Sequence, residues 1–131
     1  MTNRREVFGF LGAALAAAAQ QKNVQQQKNT VQVIHHQPLP KPFEGWEAEF
    51  VKVTAVPGPG SPPHQHKGFV LGYVLNGEFR FAIDEEPVRV LKAGETFYEP
   101  PGAHHRVSAS ASETQSAQVL AILIRPIEDK A

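Results

Sequence analysis

From Trp46 onward, Gly, Pro, Asn and Asp break the chain into short runs rich in β-branched and aromatic residues, and this punctuation is the strongest limit on the fold. Glu47 to Val56, Phe69 to Leu75, Glu78 to Ile83, Val88 to Leu91, Thr96 to Glu99 and Ala117 to Ile124 each read as a strand, with a Ser/Ala/Thr loop from Ala109 to Ser116. None of this region carries a helical period of useful length. In the third run, Phe79, Phe81 and Ile83 alternate with Glu78, Arg80 and Ala82, so one side is expected to be buried and the other largely wet. In the second, Leu71, Tyr73 and Leu75 alternate with Val70, Gly72 and Val74, so both faces are apolar. That suits a central strand, or an outer face covered in a homodimer. Asn76-Gly77 supplies the positive backbone angles of a type I′ turn and predicts a hairpin between the runs that flank it. About eight short strands joined by turns fit an all-β, double-sheet jelly roll.

Four of the six histidines fall in two stretches, Gly58 to Gly77 and Gly94 to Ser108. His64 and His66 are two residues apart, so in a strand they project side by side from one face. A His-x-His after two prolines is by itself most often a pair of surface imidazoles. His104-His105 changes this, because it follows a Pro-Pro-Gly turn at the start of another strand. Either of these could complete a three-nitrogen site for a divalent metal. His35 and His36 are adjacent, point opposite ways in an extended chain, and are expected to be exposed or at a sheet edge.

The two stretches resemble the paired motifs of the cupin superfamily, G-x5-H-x-H-x3-E-x6-G and G-x5-P-x-G-x2-H-x3-N. Gly58, His64, His66 and Gly77 match the first, and Gly94, Pro100, Gly102 and His105 match the second. The resemblance covers about residues 40 to 125. It implies a double-stranded β-helix (jelly-roll) cupin barrel, with His64, His66 and His105 as ligands of one divalent ion such as Fe, Mn, Zn or Ni. His105 occupies the matched position, so His104 is expected to face away. Val70 stands where the motif has its metal-binding Glu, and Ala109 where it has Asn. Three neutral imidazoles leave the full dication charge uncompensated and favour an anionic or enolisable oxygen ligand. An apolar Val70 either keeps coordination positions open for water, substrate or dioxygen, or marks a degenerate site. Glu99, just before the Pro-Pro turn, is either a fourth ligand or general base in the cavity, or an outer-face residue, which is the expectation adopted.

The N-terminal region reads as an address. Arg4-Arg5 precedes an uncharged run from Val7 to Ala19 that ends in small residues and is too short to cross a bilayer comfortably. Asn3-Arg4-Arg5-Glu6-Val7-Phe8-Gly9 partly matches the twin-arginine pattern Ser/Thr-Arg-Arg-x-Phe-Leu-Lys, so residues 1–19 are expected to direct export, with cleavage near Ala19. Residues 20–37 begin glutamine-rich and are expected to form a flexible tether, with residues 38–131 as the barrel domain. The chain has no cysteine, which excludes disulfides, thiolate ligands and a cysteine nucleophile. Lys plus Arg equals Asp plus Glu at 13 each; removing Arg4, Arg5 and Glu6 with the signal leaves a charge near minus one. That gives no electrostatic footprint for nucleic acid or an anionic membrane, and no stable membrane insertion is expected once the signal is gone. Two functions follow from the resemblance. One is an exported metal-dependent enzyme, an iron oxygenase acting on a small chelating or anionic substrate. The other is a non-catalytic module of the cell envelope that holds a metal or small ligand.

Overall fold

The computed structural model describes residues 28–128; the expected export signal and the first part of the expected tether lie outside them. Nine strands follow in order: β1 (Thr30–Pro38), β2 (Trp46–Ala55), β3 (His64–Gln65), β4 (Phe69–Asn76), β5 (Glu78–Ile83), β6 (Arg89–Lys92), β7 (Thr96–Glu99), β8 (His104–Ser110) and β9 (Ala117–Pro126). No helix occurs among the described residues. The strands form a five-stranded sheet in the order β1-β2-β9-β4-β7 and a four-stranded sheet in the order β3-β8-β5-β6, with every pairing antiparallel. This is the all-β, double-sheet fold expected.

The core lies between the sheets. Alternation places Val70, Val74, Val119, Ala121 and Leu123 inward from the five-stranded sheet, to meet Phe79, Phe81 and Ile83 from the other. Phe81 and Phe97 stack with ring centroids 4.5 Å apart across this layer. Each fully buried phenylalanine contributes about 1.5–3 kcal/mol through removal of apolar surface from water. Gly72 is required beneath Phe97, since a Cβ there would fall 2.1 Å from its ring. On the outer face of β4, Leu71, Tyr73 and Leu75 remain over 40% exposed within the single chain.

Asn76-Gly77 does not close a hairpin. β4 pairs with β7 and β9, whereas β5 pairs with β6 and β8, so the dipeptide carries the chain from one sheet to the other. A type I′ turn needs positive φ at both central residues; Gly77 has φ +75° but Asn76 does not. Gly77 is needed for the crossing itself, because a Cβ would lie 2.9 Å from the Ala117 Cα.

The tether reading is corrected for its C-terminal part. Thr30–Pro38 pairs along β2 from Thr30↔Thr54 to Pro38↔Glu47, with one irregularity between Val33 and His35. Its residues are all exposed, so hydrophobic burial does not hold it. Backbone pairing does, reinforced by Asn29, whose amide donates to Ser61 Oγ at 2.8 Å and to the Ser108 carbonyl at 2.9 Å and accepts from Val56 N at 2.9 Å. Composition reports missing apolar surface; it does not report a free edge on the neighbouring strand.

Candidate metal centre

His64 opens β3, the shortest strand, and is paired in register with His105 of β8. His66 follows one residue beyond the strand. Between them Gln65 points away and donates to the Gly102 carbonyl at 2.6 Å, while Ser61 N donates to the Ser108 carbonyl at 3.0 Å. These contacts pin the loop that carries two histidines to the strand that carries the third. The His64 ring centroid lies 4.7 Å from that of His66 and 4.9 Å from that of His105. One ring nitrogen from each of the three lies within 4.8 Å of the others. Metal–nitrogen bonds of about 2.0–2.2 Å then require only small inward ring rotations.

The donor chemistry fits a divalent ion. His64 Nδ1 lies 3.0 Å from the Pro62 carbonyl; as the donor in that contact it leaves Nε2 with its lone pair free. His105 is 6% exposed, and its Nε2 is buried without a hydrogen-bond partner. Burial, with His64 beside it, pushes the His105 imidazole down to about 4, so it is neutral and able to ligate near pH 7. His66 is also held below the usual imidazole range, by burial and then by the neighbouring His64 and Arg125.

The cavity around the histidines encloses about 280 Å³. Its walls are mostly apolar, with Val51, Val70, Phe79, Phe97, Val119 and Leu123 prominent, and Glu49 and Arg125 also line it. Arg125 donates to Glu47 and Glu49, each at 3.2 Å, and so is not a free cation for an anionic ligand.

His104 takes no part in this cluster. It is exposed, its backbone N–H donates to Asp84 Oδ1 at 2.9 Å, and its carbonyl accepts from Asp84 N at 2.8 Å. His35 and His36 lie on β1, away from the three histidines in sequence and sheet, and His36 bonds Glu47. Glu99 departs from the outer-face expectation. It is 3% exposed, lines the cavity, and brings Oε1 to 3.4 Å from His105 Nδ1. Burial pushes its carboxyl up to about 7. The sequence signal for this placement was Phe97, two residues earlier and so on the same face: Phe97 and Glu99 are buried while Thr96 and Tyr98 are exposed.

Comparison with known proteins adds three findings. Residues 51–123 match the family described as Cupin domain. Solved structures with similar folds include KdgF from Halomonas sp. (24% identity, 77% of this chain and 81% of that one covered, TM-score 0.55). They also include an uncharacterized conserved protein with a double-stranded β-helix domain from Klebsiella pneumoniae (20% identity, 77% and 79% covered, TM-score 0.61). A third is a predicted oxalate decarboxylase from Thermotoga maritima (21% identity, 75% and 93% covered, TM-score 0.51). At such identities the likeness speaks for the fold. No curated protein matches the sequence.

Proposed function

The chain belongs to the cupin domain family, and from that premise we propose that it is a metal-dependent oxygenase for a small chelating substrate, with His64, His66 and His105 as ligands of one divalent ion. The carrying observation is the convergence of three imidazole rings in a mostly apolar cavity, with one nitrogen of each within 4.8 Å of the others and His105 Nε2 buried without a partner. A bound divalent ion would supply a Lewis-acidic, redox-capable centre with open positions where a chelating substrate and dioxygen meet. The chain's own residues shape the space. Phe79, Phe97, Val70 and Leu123 exclude water and limit the ligand to a small molecule. With Arg125 already paired, an enolisable chelate suits the site better than a ligand that relies on a free guanidinium. The proposal includes export, directed by Arg4, Arg5 and the uncharged run to Ala19.

The test is elemental analysis of the purified full chain, then anaerobic titration with Fe²⁺ and oxygen uptake with diketones, flavonols or thiols. One equivalent of metal is expected. Replacing any one of His64, His66 or His105 by Ala should weaken binding by more than the ~10–100-fold that an outer partner of a metal ligand is worth. Stoichiometric metal binding without oxygen uptake with any candidate would turn the reading to a binding module. Unchanged affinity in all three variants would remove the metal reading.

A further inference from the structure

Glu99 lies directly across the ladder from Val70, in the register Val70↔Glu99 between β4 and β7. Residues paired this way project from the same face with Cβ atoms roughly 5 Å apart. Both are buried, at 1% and 3% exposure, and both line the cavity that holds the three histidines. Val70 is the position at which the cupin motif carries a carboxylate. Here the carboxylate sits on the same face at the same height, one strand to the side.

We propose that Glu99 is the positioning residue of the metal centre, holding the Nδ1 side of His105 so that Nε2 is presented to the ion. The inference rests on the assignment of His64, His66 and His105 as ligands. Two atoms of this pair are buried without hydrogen-bond partners, His105 Nε2 and Glu99 Oε1. Leaving both unsatisfied is costly, and an ion at Nε2 resolves both together. Once Nε2 gives its lone pair to the ion, Nδ1 must keep its proton and can act only as a donor. Glu99 Oε1, at 3.4 Å, stands beside it, on the side of the ring that the Val107 backbone also meets. The present contact is longer than the roughly 2.7–2.9 Å of a charge-assisted hydrogen bond, so loading should shorten it. The donor cluster within 4.8 Å comprises the three histidines, and Glu99 meets His105 at Nδ1, the nitrogen opposite the one assigned to the ion. From there its charge still offsets part of the dication's, as a carboxylate at Val70 would.

Co²⁺ titration of the full chain, followed by calorimetry and visible absorption, separates the roles. Glu99→Gln should weaken Co²⁺ binding by about 10–100-fold while leaving the absorption bands of the bound ion essentially in place. Adding Val70→Glu to that variant should restore affinity and shift the bands, because the new carboxylate reaches the ion directly. In Zn²⁺-loaded wild-type protein with ¹⁵N-labelled histidine, a slowly exchanging, downfield Nδ1–H of His105 is expected, a readout that needs no variant to fold. Wild-type affinity in Glu99→Gln, or the absence of that proton signal, overturns the inference and leaves the three-histidine reading standing. Lost affinity together with shifted bands in Glu99→Gln also overturns it, by making Glu99 a direct ligand. Failure of the wild-type chain to bind either ion removes the metal reading itself.

Discussion

Burial acts in opposite directions on Glu99 and His105, and the signs can be followed through folding. His105 is protonated below about 6.5 when unfolded but only below about 4 when folded, so acidification from 6.5 towards 4 favours the unfolded metal-free chain. Glu99 loses its proton near 4.5 when unfolded but keeps it to about 7 when folded, so raising pH from 4.5 towards 7 also favours the unfolded chain. Between about 4.5 and 6.5 the two slopes cancel. Glu99→Gln removes one of them, so metal-free Glu99→Gln should gain stability with rising pH across that window by up to about 1.4 kcal/mol per pH unit relative to wild type. Urea unfolding with chelator present, at several pH values, measures this. Parallel profiles for the two proteins would show that the groups do not titrate in this way. Strand parity made His64 and His66 legible as a pair, whereas the choice of His105 over His104 rested on the resemblance to the cupin motif. Glu99 was harder to read, because a carboxylate beside a proline turn is usually wet and local polarity argued against the parity set by Phe97.

Strand locations were largely legible and strand partners were not. Thr96–Glu99 lies where the sequence placed it, and β2, β4, β6 and β9 begin or end within about two residues of expectation, because turn residues mark the ends of strands. Asn76-Gly77 shows the limit: its chemistry requires a tight bend but does not state which sheet follows. β1 shows another, since its nine exposed residues are held by pairing that no hydrophobic pattern announces. The crossing can be tested. Gly77→Ala places a side chain at φ +75° against the Ala117 backbone and should cost about 2–3 kcal/mol. Gly94→Ala, at φ +89° with only Tyr73 Oη at 3.9 Å, should cost about 1–2 kcal/mol from backbone strain alone. Equal losses in chemical denaturation would mean that contact with Ala117 does not matter.

At the scale of the whole molecule, Arg4-Arg5 and the short uncharged run from Val7 to Ala19 are the features on which the export proposal rests. A twin-arginine route passes a domain that has already folded, so a histidine site could take up its ion before exposure to competition from copper or zinc. Changing Arg4 and Arg5 to Lys should leave the chain folded, unprocessed and inside the cell, as fractionation and mass measurement would show. Normal processing near Ala19 in the double-Lys chain would refute that route and leave the barrel unaffected. The paired placement of Val70 and Glu99 reaches further than this protein. In a sheet, the residue across the rung is about 5 Å away, nearer than the next same-face residue of its own strand at roughly 7 Å. A chemical group can therefore move sideways through two substitutions while everything between them in sequence stays fixed. A pattern written along the chain scores Val70 as a lost ligand. Written across rungs, it finds a carboxylate still present, and chains bearing one at either end of that rung become variants of a single site.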